Sequence, residues 1–239
     1  MKLQHAWLAL SLVASLSTHA WAATFTDDFE GGSNQAGWTF IPGGDLLESS
    51  GGNPGWWLHQ PQYDTFDPAV QSSWANDNPF KGDYTLSGVS RISFDLINHH
   101  MDFGDGSGFN VVLLLRNTHG TPNDVDDDDF AYFTGPNVPL VGAGWQHYEV
   151  DVPSLSNDPV PAGWSGGWVG DCAAFRPGVT WADVVSNVDR VEIHWLEPCN
   201  FAIFQQWNVG VDNLSVEYID QPVATERGSW GTVKRLYRP

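Results

Sequence analysis

The sequence predicts an all-β protein, an antiparallel β-sandwich with one short helix. Several segments alternate apolar and polar residues with a period of two, which is typical of half-buried strands. Gly, Pro, Asn and Asp turns separate these segments, and the absence of regular helices between them disfavours a parallel α/β sheet. Ten of the 13 tryptophans lie between residues 23 and 221, and such large rings fill the space between two sheets about 10 Å apart efficiently.

Four segments carry the strand prediction. Apolar side chains fall on even positions in residues 91–96, on odd positions in residues 190–195, and on even positions in residues 148–152. Each of these segments is predicted to be a strand with one buried face. Residues 110–115 instead form a nearly continuous apolar run, Asn-Val-Val-Leu-Leu-Leu, which favours a strand covered on both faces.

One segment has a helical pattern. Trp181, Val184, Val185 and Val188 would share one helix face, and Thr180 with Asp183 three positions later matches a capping box. The sequence therefore predicts a helix of about two turns over residues 181–188.

A change of parity marks a candidate site residue near the end of the chain. Apolar residues occupy odd positions up to Val211 and even positions from Leu214 onwards. A one-residue slip without a turn is a β-bulge, and bulges redirect side chains and are frequent beside functional sites. Asp212, at the slip, is therefore a candidate ligand, with a solvated surface acid as the alternative.

Residues 1–22 have the features of a secretory signal peptide. The chain starts with Met1-Lys2, continues with an apolar run over residues 7–16, and offers small residues at Ala20 and Ala22. Cleavage there would leave a domain of residues 23–221 and a tail of residues 222–239. The apolar run is about half of what a membrane span needs, so we expect a secreted protein, extracellular, at the cell surface or in a periplasm.

Charge is distributed unevenly along the chain. The whole sequence carries a net charge of −19, whereas residues 23–221 hold 28 acidic and 5 basic side chains and the tail holds one acid and four bases. The acidic body disfavours nucleic acid and anionic membrane surfaces as partners. The tail places Trp230, Val233 and Tyr237 on one helical face beside cations, which suits an acidic or apolar partner; a frayed terminus is the alternative.

The chain has two cysteines, Cys172 and Cys199. A disulfide persists outside the cytosol, so these residues are the candidate intrachain pair. Two free buried thiols are the alternative.

Several segments together resemble laminin B (laminin IV type A) domains. The segments are Trp74–Asp83 with Gly88 and the strand after it, Val111–Leu114, Trp145–Tyr148 and the closing Val211–Leu214. The resemblance implies a jelly-roll sandwich akin to carbohydrate-binding modules, in an extracellular adhesive protein without catalysis and with no specified ligand. Residues 123–129 and 172–199 have no counterpart in that family.

The resemblance also implies a structural Ca²⁺ ion. Many such jelly rolls bind Ca²⁺ where the first and last strands meet, with acids from an N-terminal Asp-Phe-Glu type motif and from the closing Asp-Asn. Asp28, Glu30 and Asp212 match those positions, and Ca²⁺ prefers six to eight oxygens from several segments. Surface acids with no ion are the alternative.

A second acidic segment is a separate Ca²⁺ candidate. Asp124, Asp126 and Asp128 alternate, as do the first ligands of a Ca²⁺ loop, but the Gly and Glu that an EF-hand requires are missing. Five acids in six residues repel one another, and either a cation or water relieves that repulsion.

Trp56 and Trp57 follow a turn cluster and are candidates for glycan binding. In a strand their rings point to opposite faces, so one ring could be exposed and stack on a sugar. Burial of both rings is the alternative.

Three functions remain open at this point. The first is a secreted, non-catalytic, Ca²⁺-stabilised sandwich that binds glycan or another surface polymer. The second is a polysaccharide-degrading enzyme on a sandwich fold, which no hydrolase, zincin or nucleotide motif in the sequence supports, and the third is a purely structural surface protein. If the strand with His147 and Glu149 lies next to the strand with Glu192 and His194, these side chains form a His/Glu cluster that could bind a metal or perform acid–base chemistry.

Overall fold

The computed structural model describes residues 22–41, 43–121, 124–198, 200 and 202–219. The predicted signal peptide, apart from Ala22, and the tail of residues 222–239 lie outside this part of the chain. Both therefore stay predictions.

The described chain contains twelve strands and two short helices. In chain order they are β1 (Ala22–Asp27), β2 (Thr39–Ile41), β3 (Leu46–Gly52), β4 (Gly55–Thr65), β5 (Ala69–Gln71), α1 (Tyr84–Ser87), β6 (Val89–Met101), β7 (Asn110–Asn117), β8 (Asp129–Asn137), β9 (Gln146–Asp151), β10 (Trp164–Trp168), α2 (Trp181–Val185), β11 (Arg190–His194) and β12 (Gln205–Ile219). The first sheet has the order β3-β4-β12-β6-β9, with β1 also paired to β12, and the second has the order β10-β8-β7-β11-β5-β2. All pairs are antiparallel. The predicted all-β jelly-roll sandwich is confirmed.

The core lies between the two sheets and is rich in aromatic rings, as the tryptophan content predicts. Its largest fully buried side chains include Trp38, Trp181, Trp195 and Trp207. Ile92, Phe94 and Leu96 of β6 belong to this core, as do the odd positions of β11. The alternation in the sequence therefore assigned the inner faces of these strands correctly.

Strand β7 is covered on both faces, as its apolar run predicts. Val111, Leu113 and Leu115 lie in the core, whereas Val112 and Leu114 face outward and are nevertheless buried. The loops after β4 and β11 cover this outer face, and they form the walls of the cleft described below.

Helix α2 has the predicted capping box, in which the Thr180 hydroxyl and the Asp183 carboxylate bond each other's backbone N–H. It ends at Val185, three residues before the predicted end, because Val188 exchanges backbone hydrogen bonds with Gly82 in a short bridge. Helix α1 was not predicted. It is one turn long, capped by Asp83 and ended by Gly88 in the left-handed conformation.

The predicted bulge in β12 is present. The register of β12 against β6 shifts between Asp212 and Ser215, and Asn213 adopts a left-handed conformation with φ 51°. On the other side, β12 pairs with β4 up to Val211 and with β1 from Leu214. The bulge therefore lies where one neighbouring strand replaces another, so the Asp212 carboxylate meets the ends of two segments.

Candidate functional site

A cleft of about 430 Å³ lies on the outer face of the second sheet. Leu114 and Arg116 of β7 and His194 of β11 form part of its floor, because alternate residues of these strands point away from the core. The loop after β4 and the loop after β11 form its walls, and the residues of these loops in the cleft are Phe66, Asp67, Leu196, Glu197, Pro198, Asn200 and Ala202.

The floor is built around one buried carboxylate, Glu192, whose side chain is 1% exposed. The Arg116 guanidinium binds it at two points, Nε to Oε1 at 2.8 Å and Nη2 to Oε2 at 2.9 Å. Arg190 and His194 add ion pairs at 2.8 and 3.0 Å. Burial opposes ionisation of Glu192, but the charges of Arg116 and His194 outweigh it and hold the pKa of Glu192 well below its usual range.

His194 connects this floor to the cleft wall. Its Nε2 lies 3.0 Å from Glu192 Oε2 and its Nδ1 lies 2.8 Å from Asp67 Oδ2. Burial alone would lower the pKa of His194, but the hydrogen bond and the charge of Asp67, together with Glu192, raise the pKa to about 9. His194 is therefore a cation at neutral pH, with both ring N–H groups donated to carboxylates.

The cations of the floor are balanced by an equal number of acids. Asp128 binds Arg116 Nη1 at 3.0 Å, and Arg190 also lies over the ring of Trp74 at 4.3 Å. The floor thus pairs Arg116, Arg190 and His194 with Glu192, Asp128 and Asp67. These pairs carry no net charge, and the apolar Leu114 and Phe130 line the cleft beside them.

The rim of the cleft is aromatic and exposed. Phe66 is 57% exposed and Phe204 is 55% exposed, and their rings meet edge to face at a centroid distance of 5.1 Å. Beside them, the Glu197 carboxylate accepts hydrogen bonds from Asn110 Nδ2 at 3.1 Å and Asn200 Nδ2 at 2.9 Å. Exposed rings next to fixed polar groups are the usual composition of a small-molecule or glycan site.

Two of the three resemblance-based Ca²⁺ ligands, Asp212 and Glu30, bond to one turn, Gly52–Trp56. Asp212 is fully buried, and its Oδ2 accepts a hydrogen bond from the backbone N–H of Asn53. Glu30 Oε1 accepts from the backbone N–H of Trp56 at 3.1 Å. Asp28 bonds the backbone N–H of Glu30 and lies close enough to repel Asp212 electrostatically. The three predicted residues are therefore neighbours.

Glycines make this convergence possible. A Cβ at Gly52 would lie 2.9 Å from Asp212 Oδ2, and one at Gly55 would overlap the Glu30 carboxylate. The turn thus leaves space that two carboxylates fill. With the side chains as they stand, no group of three or more His, Cys, Asp or Glu residues in the described part of the chain is arranged to hold a metal ion.

The three predicted ligands of the acidic segment have different environments in the structure. Asp124 and Asp126 are exposed, and Asp124 caps a one-turn 3-10 helix over Val125–Asp127. Asp128 is 2% exposed and turns to Arg116 instead. Asp128 is thus part of the cleft floor, and Ca²⁺ binding by Asp124, Asp126 and Asp128 stays a prediction.

Trp56 and Trp57 point to opposite faces, as their positions predict. Trp57 is on the outer face of the first sheet but is only 3% exposed, because Trp145 packs edge to face on it at 5.4 Å and His59 stacks on it at 4.3 Å. Trp56 is half-buried and packs against the core. Neither ring is an open platform in this structure.

Two further predictions meet the structure differently. No cysteine in the described chain is a free thiol, and Cys172 has an interaction partner. Cys199 lies outside the described residues. The Cys172–Cys199 disulfide therefore stays a prediction. The conditional His/Glu cluster does not form, because His147 and Glu149 lie on β9 of the first sheet whereas Glu192 and His194 lie on β11 of the second.

Sequence reasoning missed the cleft. Its central residue, Arg116, directly follows the apolar run of β7, and it is one of only five cations between residues 23 and 221. A basic residue at the end of a buried strand, in a chain with so few basic residues, was the sequence feature that could have indicated the cleft. Phe66 and Phe204 left no signal, because an isolated phenylalanine in a loop does not reveal its neighbours.

No protein-family profile and no curated protein matches the sequence. Among solved structures, the chain is similar to an exo-β-agarase (14% identity, TM-score 0.44), covering 85% of this chain and 26% of the agarase. It is also similar to the tandem CBM22 domain of Paenibacillus barcinonensis Xyn10C (17%, 0.43, 81% and 49%) and to the L4b domain of human laminin alpha-2 (12%, 0.35, 66% and 84%). The chain thus spans about a quarter of the agarase and half of the tandem domain. Likenesses at this level assign no ligand or activity.

Proposed function

We propose that this chain is a secreted, non-catalytic jelly-roll domain that binds glycan in the cleft on the outer face of its second sheet. The observation that carries the proposal is the exposed ring of Phe66, which lines the cleft beside Arg116 and His194 and packs edge to face against the exposed ring of Phe204. Signal-peptide features in residues 1–22 support export, and no helix in the described residues is long and apolar enough to cross a membrane.

The chemistry of the cleft suits a sugar. Aromatic rings stack on the apolar C–H faces of sugars, and hydroxyl groups need donors and acceptors at fixed positions. Arg116 uses three of its five N–H groups on Glu192 and Asp128, which leaves two for a ligand. Glu197, held by two asparagines, offers acceptor oxygens.

Binding to a panel of polysaccharides tests this function. We expect retardation in affinity gels containing at least one polysaccharide, followed by a calorimetric Kd with its oligosaccharides. Phe66→Ala and Phe204→Ala should each weaken binding by about 5- to 30-fold, the equivalent of 1 to 2 kcal/mol for a lost aromatic contact.

A matched control is Leu86→Ala, since Leu86 is 79% exposed on α1 and does not line the cleft. Its affinity should equal that of the wild type. Equal binding by all three variants would place the glycan elsewhere, and no binding to any polysaccharide would leave the purely structural alternative. Release of new reducing ends by the wild type would favour the enzyme alternative.

Calcium is a second part of the proposal. Asp28, Glu30 and Asp212 would hold the ion at the Gly52–Trp56 turn, where it would supply positive charge between Asp212 and the nearby Asp28. The donor set consists of oxygens only, which a hard cation prefers, and the three carboxylates would have to move closer together to surround it. Asp124 and Asp126 are exposed and do not belong to this set.

Thermal unfolding with CaCl₂ and with EDTA tests calcium. A ligand that binds only the folded state raises the melting temperature by mass action, so we expect a higher Tm with Ca²⁺. Glu30→Gln should abolish the difference, and Asp171→Asn, at an exposed position beside β10 of the second sheet, should keep it. Equal Tm values with CaCl₂ and EDTA would exclude the ion.

A thiol count after denaturation without reductant tests the Cys172–Cys199 pair, since two reactive thiols would reject it.

A further inference from the structure

A second groove, separate from the cleft, runs where the edge strand β9 of the first sheet meets β8 and β10 of the second. Its volume is about 470 Å³. Phe133 and Trp164 of the second sheet form its apolar side together with prolines of the loop after β9. Leu155 and Val160 of the same loop are 52% and 42% exposed. Apolar surface is therefore left uncovered along this edge.

The groove is also acidic. Glu149, Asp151 and Asp158 line it, and no basic residue does. Arg91 approaches from the neighbouring strand, at 3.0 Å from Asp151 and 3.6 Å from Glu149, and offsets one of the three charges. An occupant with both cations and apolar side chains would match the groove on both counts.

The described chain ends close to this groove. Ile219, the last residue of β12, donates its backbone N–H to Gly88 at the start of β6. At the same end of the sheet, Arg91 of β6 pairs with Asp151 of β9. Neighbouring strands lie about 4.8 Å apart, so Ile219 is two strands, about 10 Å, from the groove.

The segment that follows Ile219 has the matching composition. Residues 224–239 hold four bases and one acid, with Trp230, Val233 and Tyr237 interleaved. From Ile219 to Lys234 there are 15 residues, which can span about 50 Å when extended, far more than the distance to the groove. We propose that the C-terminal tail of this chain docks in the β9 groove of the same molecule, its cations facing Glu149, Asp151 and Asp158 and its rings covering the apolar side. The tail is then an intramolecular cover for this edge of the sandwich, on the side of β9 and not in the glycan cleft.

Zero-length cross-linking of the full chain tests this docking. A carbodiimide joins a lysine amine to a carboxylate only when the two are in contact. Lys81 and Lys234 are the lysines that follow residue 22, and Lys81 Nζ lies 3.7 Å from Asp189, so the Lys81–Asp189 link is an internal positive control. We expect mass spectrometry to find Lys234 linked mainly to Glu149, Asp151 or Asp158.

Two further measurements make the result specific. In a mixture of ¹⁴N- and ¹⁵N-labelled protein, the Lys234 links should join peptides of the same label. Arg235→Glu combined with Arg238→Glu keeps Lys234 but removes the charge match, and should reduce these links at least fivefold while the Lys81–Asp189 link is unchanged.

Three results would overturn the proposal. The first is the Lys81 link without any Lys234 link, and the second is Lys234 linked equally to remote acids such as Asp64 and Asp124. The third is links of mixed label, which would mean that the tail binds another copy. None of these results bears on glycan binding, because the cleft and the β9 groove share no lining residue.

Discussion

Arg116 and Glu192, on adjacent strands β7 and β11, form a two-point ion pair beneath the candidate glycan cleft, with N–O distances of 2.8 and 2.9 Å. Glu192 is 1% exposed and Arg116 is 15% exposed. Removal of one partner from such a pair is strongly destabilising, because the other charge then stays buried without a counter-charge. Arg116 itself lines the cleft.

Removal of the Glu192 charge should therefore destabilise the protein strongly. In Glu192→Gln, Arg116, Arg190 and His194 lose their common carboxylate inside the structure. We expect the free energy of unfolding to fall by about 3 to 5 kcal/mol, as is typical when one partner of a buried ion pair is removed. Urea unfolding measured by tryptophan fluorescence gives this value.

The matched control is the same substitution at an exposed position. Glu149 is 53% exposed and lies 3.6 Å from Arg91. Glu149→Gln should cost less than about 1 kcal/mol, since exposed ion pairs contribute little. Similar losses for the two variants would contradict the assignment of Glu192 as the centre of the floor.

Stability should also decrease from neutral to alkaline pH because of His194. Its pKa is raised to about 9 in the folded protein, above the value near 6.5 of an unperturbed histidine. The proton on His194 therefore stabilises the fold fully below about pH 6.5, and this stabilisation is lost as the pH rises through 9. The groups that face it are Asp67, Glu192 and, through Glu192, Arg116. We expect a decrease of about 3 kcal/mol between pH 6.5 and 9.5.

A histidine outside the floor serves as the comparison. His194→Gln should be less stable at pH 6.5 but should lose most of the slope between pH 6.5 and 9.5. His100→Gln, at an exposed position paired with Asp102, should keep the slope of the wild type. A wild-type protein of constant stability over this range would show that His194 is neutral throughout.

The sequence predicted the fold more fully than the site, and the reason is periodicity. A strand with one buried face repeats every two residues, so the faces of β6, β9 and β11 and even the slip at Asp212 could be read from the order of residues. The helix over residues 181–188 was recognised by its capping box, but its end depended on a bridge between Val188 and Gly82, which are 106 residues apart.

The cleft depends on contacts of that second kind. Phe66 meets Phe204, and Glu192 meets Arg116, only because segments from distant parts of the chain come together on one face of the second sheet. Asp128 shows the limit clearly. Its local pattern predicts a metal-binding loop, whereas in the structure its carboxylate pairs with Arg116 on the preceding strand, β7. Local sequence patterns predict which face of a strand a residue occupies, but they do not predict which residue it contacts on a neighbouring strand.

Gly210 on β12 should not tolerate a larger residue. Its Cα lies beneath the indole of Trp57, and a Cβ there would overlap that ring. The ring is held by a 2.9 Å hydrogen bond from Nε1 to the backbone oxygen of Ser50 and by Trp145. Gly210→Ala should cost about 1 to 3 kcal/mol, the usual cost of overpacking, and should change the near-UV circular dichroism of the tryptophans. Gly135→Ala, whose Cβ would come no closer than 3.3 Å to another atom, should cost less. The reverse order would show that Trp57 moves freely.

Asn213 should stabilise the bulge in two separable ways. Its left-handed backbone, φ 51°, strains most side chains by about 1 to 2 kcal/mol but not glycine. Its side chain donates from Nδ2 to Asp95 Oδ2 at 2.8 Å and to the backbone oxygen of Asn53. Asn213→Gly therefore loses only the side-chain bonds and should cost about 1 to 2 kcal/mol, whereas Asn213→Ala also strains the backbone and should cost about 1 kcal/mol more. Urea unfolding of both variants measures the difference, and an alanine variant as stable as the glycine variant would mean that the bulge relaxes when the side-chain bonds are lost.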